Sequence, residues 1–319
     1  MDRRKFLQTT GVSLPLAALG GLAVSCAGET ALPPVSKASE WTGFKFAMCN
    51  ECMADLSWDE QCKIISDAGY TGVEIAAFTL VKESVTELTP ADRQGLVTTM
   101  NDHGLDCVGL HWLLSPPPHG LHFTTPDTAV RQKTVQYLSD LVDFCADLGG
   151  AVMIFGSPNQ RSTDGIAVSE AKKYFAEGLA AVADHSAARN VKVLVETLDS
   201  GQTDVVNTMA ESLEIVQMVN HPAIGTMFDY HNTLDETMSL EALVRKYFKH
   251  IEHIQIQEMD GRHLGTGNAV ETYVDSFKAL RELNFDKWIS LEIFDFEPGG
   301  KIIANESMEV LQQLQASVS

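Results

Sequence analysis

Residues 253–267 read HIQIQEMDGRHLGTG. Ile254 and Ile256 mark a short apolar strand, and the chain then passes through glutamine and glutamate into a loop with Arg262, His263 and three glycines. A buried strand that turns polar just where it meets the surface is the pattern of an element presenting side chains at one rim of a sheet. The other strands of the chain decide whether this is a rule or an isolated case.

Working outward, seven further apolar, β-branched runs stand at 44–48, 72–78, 105–111, 151–156, 191–197, 224–229 and 288–294. Segments with 3.6-residue periodicity separate them. Thr89-Pro90-Ala91-Asp92 supplies an N-cap, a first-turn proline and a capping-box acid. Over 127–148, Val130, Thr134, Leu138, Leu141, Cys145 and Leu148 form one stripe, and Gly149 is the stop signal. Residues 169–188, 207–219, 239–248, 273–283 and 306–316 read as helices in the same way. Eight strand–helix alternations in about 280 residues predict a single (β/α)8 TIM barrel, α/β in class. A doubly wound open sheet is the competitor, and the lack of G-x-G-x-x-G after the first strand weakens it.

The barrel is expected over 43–319. Residues 1–26 read as an export signal: Arg3-Arg4-Lys5-Phe6-Leu7 resembles a twin-arginine motif, and Ala23-Val24-Ser25-Cys26 a lipobox with Cys26 as the acylated residue. The apolar stretch between them is too short for a confident membrane span. Residues 27–42, small, polar and proline-containing, read as a linker. The expected location is therefore periplasmic and membrane-tethered, with membrane contact only through the signal or its lipid. Removing residues 1–25 takes away one acid and three bases, moving the net charge from −20 to −22. Such acidity excludes nucleic acid as a partner. Of the 319 residues, 45% are hydrophobic and 21% charged, enough for a sizeable core. Five cysteines follow Cys26, an odd number that gives no disulfide framework. Cys49 and Cys52 form C-x-x-C, readable as a redox pair or as two small residues ending a strand.

In barrels of this kind chemistry sits at the C-terminal strand ends. There this chain places Glu74, His111, Asn159-Gln160-Arg161, Glu196, Asp229-Tyr230-His231, Gln255 and Glu258, and Glu292. A carboxylate within VLVETL, TMFDYH or ISLEIF is costly unless it is paired or binds a cation. Glu196, Asp229 and Glu292 are accordingly the candidate metal ligands, with pairing to Arg161 or Arg262 as the alternative. Parity on the seventh strand puts His253 and Gln255 on one face, Gln255 nearer the rim, so Gln255 is the fourth candidate ligand and His253 lies one layer deeper. An all-oxygen set suits one divalent ion, Mn²⁺ first, with Mg²⁺, Co²⁺ or Zn²⁺ possible. His111 is a substrate contact or a core histidine. Trp112 is a packed aromatic or a sugar platform, and the Pro-rich loop 115–123 with His122 is a candidate cover for the site. Glu74 is a neighbour of the ligands or the partner of a base. Arg161 either neutralises a ligand carboxylate or binds substrate.

On these residues the chain resembles the xylose-isomerase-like barrel superfamily of sugar isomerases and epimerases, over nearly all of the sequence after residue 42. HIQIQEMDGRHLGTG resembles the hydroxypyruvate isomerase branch, and FGSPNQRS the strand-4 turn of sugar phosphate isomerases/epimerases. The resemblance implies metal ligands at Glu196, Asp229, Gln255 and Glu292, acid/base roles for Glu196 and Glu292, and substrate contacts from His231 and Arg262. It implies proton transfer through an ene-diolate. The branch's Glu-Pro is replaced here by Leu264 and its final Glu by Asn268; Asn232 stands where the family's histidine would follow the strand-6 acid by three. The expected function is a metal-dependent isomerase or epimerase of an unphosphorylated sugar or keto-sugar. A keto-sugar dehydratase or lyase on the same site, or a non-catalytic sugar-binding lipoprotein, are the alternatives. A homo-oligomer is compatible with the sequence.

Overall fold

The computed structural model describes residues 41–163 and 165–319. Residues 1–40, with the expected signal, Cys26 and most of the expected linker, lie outside the described residues. Thr42–Ser319 form one compact unit. Its strands are β1 (Lys45–Cys49), β2 (Gly72–Ala76), β3 (Asp106–His111), β4 (Val152–Phe155), β5 (Lys192–Val195), β6 (Ile224–Asp229), β7 (Ile251–Ile256) and β8 (Trp288–Leu291). The helices are α1 (Trp58–Ala68), α2 (Pro90–Asp102), α3 (Thr128–Asp147), α4 (Val168–Ala188), α5 (Met209–Val219), α6 (Leu240–Tyr247), α7 (Ala269–Glu282) and α8 (Gly300–Ala316). The strands pair in chain order, all parallel, and β1 closes on β8. The expected (β/α)8 barrel is the observed one.

The predicted runs fall on the observed strands, and the predicted caps do their work. The Thr89 side chain and Asp92 cap α2 reciprocally, and the Asp127 carboxylate takes the first amides of α3. Helix α1 buries Gln61 beside Cys62 and Ile65. The Gln61 amide is satisfied within the fold: it donates to Leu56 O at 3.0 Å and accepts from Asn50 Nδ2 at 2.9 Å. Ser57 and Glu60 form its capping box.

Layers follow from the pattern. Ile154, Leu194 and Met227 pack together from β4, β5 and β6. Phe123 before α3, Phe155 at the end of β4 and Phe175 on α4 pack tilted or edge-on at centroid distances of 5.0–5.7 Å, tying the β3–α3 loop to β4 and α4. Where β3 meets β4 the contact is so close that a Cβ on Gly109 would stand 1.9 Å from Val152 O, so only glycine fits. The cysteines at 49, 52, 62, 107 and 145 are all free. Burial pushes the Cys49 and Cys52 thiols up, away from the thiolate form that redox exchange needs. The C-x-x-C is thus a strand end followed by a tight turn.

Candidate active site

Asp229 is the last residue of β6, and Glu196 and Glu292 directly follow β5 and β8. Strand ladder bonds continue past the ends to hold them: Glu196 N donates to Phe155 O and Glu292 N to Ile256 O, each at 3.3 Å. One carboxylate oxygen from each of the three lies within 4.8 Å of the others. All three are buried, Asp229 completely.

The rest of each carboxylate is tied down. Asn232 Nδ2 donates to Glu196 Oε1 at 2.9 Å and to Asp229 Oδ2 at 2.7 Å. Asp229 Oδ1 accepts the His231 amide at 2.8 Å. Trp112 Nε1 donates to Glu292 Oε1 at 2.7 Å, while Glu292 Oε2 is buried without a hydrogen-bond partner. Burial raises the Glu196 pKa well above the carboxylate range, Asp229 adds to the rise, and the Arg161 charge offsets part of it. Burial, then Glu196 and Asp229, raise Glu292 likewise. Burial also raises Asp229, with His231 opposing. Three mutually repelling buried acids need protons or a cation.

A cavity of about 410 Å³ opens onto this cluster. Glu196 and Glu292 line it, and Asp229 does not. Trp112, Phe294, Leu198 and Pro116 form apolar walls, and Ser157, Asn159, Gln160, Gln202 and His231 supply neutral or imidazole hydrogen-bonding groups. No lysine or arginine lines it among the described residues. Ser115 and Pro116 of the Pro-rich loop reach the cavity. Trp112 and Ser157, at its edge, both have left-handed backbones, φ 49° and 46°. Ser157 Oγ accepts the Leu114 amide at 3.1 Å and so locks the two loops together.

Beneath the cavity is a second buried cluster. Glu74 Oε1 accepts from Gln255 Nε2 at 2.7 Å, and its Oε2 lies 2.7 Å from His253 Nε2, an ion-pair distance off hydrogen-bond alignment. His111 Nε2 contacts Glu51 Oε2 at 2.9 Å, and its Nδ1 is 3.6 Å from Glu74 Oε1. Burial pushes Glu74 up, but the two imidazoles outweigh it and hold this carboxyl at about 2.

The expected site residues therefore divide. Glu196, Asp229 and Glu292 come together, His231 lines the cavity, and Gln255 is fully buried at the register position beside Asp229. His253 sits one layer deeper, as parity required. Three residues considered for substrate contact, His111, Arg161 and Arg262, stand away from the cavity wall. His111 is completely buried between Glu51 and Glu74, and is a core histidine. Arg161 is completely buried and spends its guanidinium on backbone: Nη1 donates to Glu196 O at 2.6 Å and Phe155 O at 3.2 Å, and Nη2 to Val206 O at 3.4 Å. Arg262 is out on the loop, paired with Asp260 at 2.7 Å and absent from the cavity wall. His122 also lies outside the wall, beside Ser162 Oγ at 3.4 Å. Trp112 packs as an aromatic, its ring 5.9 Å from that of Phe78 between centroids, and also bonds a site carboxylate. The loop after β7 is organised by Glu258, whose Oε1 accepts the amides of Gly265 and Gly267 at 3.1 and 3.2 Å.

Sequence reasoning missed Gly156 and Gln202. A Cβ on Gly156 would fall 2.2 Å from Glu196 Oε2, so this glycine makes room for the carboxylate. Gln202 Nε2 donates to Asn232 Oδ1 at 2.6 Å, steadying the amide that bridges Glu196 and Asp229.

A divalent cation fits these residues. The donors are three carboxylates with excess negative charge; one of their oxygens, Glu292 Oε2, and one further buried oxygen, Gln255 Oε1, have no hydrogen-bond partner.

Comparison with known proteins agrees with the geometry. A probable ketose 3-epimerase of Synechocystis sp. is 25% identical over 222 residues, 61% of this chain and 74% of that protein. A ketose 3-epimerase of Arthrobacter globiformis is 25% identical over 234 residues, covering 69% and 74%. The crystal structure of D-psicose 3-epimerase with D-tagatose from Clostridium cellulolyticum H10 superposes with a TM-score of 0.73 at 16% identity, over 86% of this chain and all of that one. A 3-keto-D-glucoside 4-epimerase from Escherichia coli gives 0.69 at 15% identity, over 86% and 99%. At such identities the structural likeness speaks for the fold alone. The model of the xylose isomerase-like TIM barrel family matches residues 62–314, and with the closed eight-stranded barrel this makes the chain a member of that family.

Proposed function

We propose that this protein is a divalent-metal-dependent epimerase or isomerase that moves a proton on the carbon beside the carbonyl of an unphosphorylated keto-sugar. The observation that carries the reading is the trio Glu196, Asp229 and Glu292, brought within 4.8 Å at the floor of a sugar-sized cavity. The ketose 3-epimerase relatives support it.

Glu196, Asp229, Glu292 and the carbonyl of Gln255 would hold the cation, Mn²⁺ before Mg²⁺, Co²⁺ or Zn²⁺. Bound there, the ion supplies Lewis acidity that makes a carbon between carbonyl and hydroxyl easier to deprotonate. The rest falls to this chain's side chains. Glu196 and Glu292 both face the cavity, so one can take the proton and the other return it. Return to the opposite face of the same carbon gives epimerisation; return to the neighbouring carbon of the ene-diolate gives isomerisation. Burial and mutual repulsion raise the proton affinity of both acids, and a bound cation would offset part of that rise. Trp112 and Asn232 each occupy one oxygen of an acid and so fix which oxygen remains for chemistry. His231 and the amides of Asn159, Gln160 and Gln202 can hold sugar hydroxyls. A wall without lysine or arginine favours an uncharged sugar over a phosphorylated one.

Loss of a β-substituent after the same proton abstraction would make the enzyme a dehydratase or lyase, and product analysis separates the two. For location, we read Arg3-Arg4 and the Cys26 lipobox as export with a lipid tether; a mature chain in the cytosol that still begins at Met1 would overturn that.

The functional test is incubation of the Mn²⁺-loaded protein with free ketoses and keto-glycosides in D₂O. Deuterium entering one carbon beside the carbonyl, and lost in both Glu196→Gln and Glu292→Gln, is the expected result. Turnover with no solvent deuterium at carbon would contradict the mechanism.

A further inference from the structure

The assignment that follows rests on the reading of Gln255 as a metal ligand. A glutamine side chain has two unlike ends: the carbonyl oxygen can bind a cation, and the NH₂ group cannot. Gln255 is completely buried on β7, and its neighbours in register are Asp229 on β6 and Ser290 on β8. Nothing intrinsic to the amide decides which end is offered to the carboxylate trio.

Glu74 on β2 decides it. Its Oε1 is 2.7 Å from Gln255 Nε2. At that distance the amide turns its NH₂ toward Glu74 and donates to this carboxylate oxygen. Oε1 is thereby left as the free end, and it has no hydrogen-bond partner. Glu74 is in turn fixed from two sides, by His253 Nε2 at 2.7 Å and, at longer range, by His111 Nδ1 at 3.6 Å. His111 is braced by Glu51, whose other oxygen accepts the Ile293 amide next to Glu292. We propose that Glu74 is a positioning residue, holding the Gln255 amide in the one orientation that offers its carbonyl oxygen to the cation.

Cys49, Glu74 and His111 also lie close enough to suggest a metal site of their own. Oε1 of Glu74 is already taken by the Gln255 amide and Oε2 sits at ion-pair distance from His253, which favours the orienting role.

The test is Mn²⁺ titration of the full chain by calorimetry, with thermal melting of the metal-free protein alongside. Glu74→Gln replaces an acceptor by a group that can also donate, so the Gln255 amide is free to turn. Affinity should fall about tenfold to a hundredfold, the range for lost partners of metal ligands. The pair E74Q/Q255E reverses donor and acceptor: the new amide at 74 donates to the new carboxylate, whose other oxygen remains for the ion. It should bind within about fivefold of wild type or tighter, as should Glu74→Asp, which stays acceptor-only. If E74Q alone does not fold, those two variants still decide. Undiminished affinity in E74Q, or a double variant as weak as the single one, overturns the positioning role while leaving the metal reading intact. Two Mn²⁺ per wild-type chain, the second lost in Cys49→Ser, would overturn it by making the cluster a site itself. No binding by the wild type would sink the functional reading and this inference together.

Discussion

Replacing Gly156 by alanine places a methyl carbon 2.2 Å from Glu196 Oε2 and 3.2 Å from its Cδ. Relief to an ordinary carbon–oxygen contact requires the carboxylate to move by about 1 Å. Glu196 has nowhere easy to go, because Asn232 holds its other oxygen and Arg161 holds its carbonyl. A displacement of this size at a reacting group costs about 10²-fold in rate, or about 2.7 kcal/mol. The backbone is not the cause of the loss: Gly156 is not among the residues with positive φ, and alanine there restricts the unfolded chain slightly, which offsets part of the steric cost. Gly156→Ala should therefore melt within a few degrees of wild type, while kcat falls about a hundredfold and Mn²⁺ affinity weakens with it. The assay is steady-state turnover on whichever keto-sugar exchanges deuterium, paired with metal titration and a melting curve. Turnover and affinity equal to wild type would show that Glu196 does not work from the position described, and the acid/base assignment would fall.

Three other outcomes follow from the same contacts. Trp112→Phe keeps the ring but deletes the donor to Glu292 Oε1, so kcat should drop about tenfold to a hundredfold and the Glu292 limb of the pH–rate profile should move up, because a bond to the charged form is gone; an unmoved profile would refute it. Arg161→Met leaves the carbonyls of Phe155, Glu196 and Val206 without their buried donor and should cost about 3 kcal/mol, read as a lower denaturation midpoint. The metal-free protein should lose stability as pH rises from about 4.5 toward 8. Glu196 and Glu292 have raised pKa values in the fold, so the native state keeps protons the unfolded chain releases, and that contribution, complete at low pH, disappears as pH climbs. Saturating Mn²⁺ should flatten the slope, and a metal-free slope of opposite sign would contradict the clustering.

The barrel was legible because most strand residues are apolar and buried, and because Thr89 with Asp92 and the stripe of α3 mark helices between them. Helix α1 was overlooked although Ser57 and Glu60 spell its capping box; Gln61 on its buried face finds its partners only after folding. The carboxylate trio was legible because acids inside VLVET, TMFD and ISLE have no cheap place in a core. Strand parity sufficed to place Gln255 on the buried face of its strand, in register with Asp229. Arg161 and Trp112 could not be assigned from sequence. The carbonyl acceptors of Arg161 come from three separate segments, and the acceptor of Trp112 is 180 residues away. Arg262 shows the limit of a motif: Asp260, two residues earlier, captures the guanidinium on the loop.

The central claim is that Glu196, Asp229 and Glu292 hold one divalent ion. The most direct measurement is metal content of the full chain after loading with Mn²⁺ and desalting, wild type beside Asp229→Asn, a ligand that does not face the cavity. The account predicts about one ion per wild-type chain and a loss of most of it in the variant. A wild-type chain that retains no metal, or a variant that retains as much, would mean that the three buried acids are held by protons and internal bonds alone.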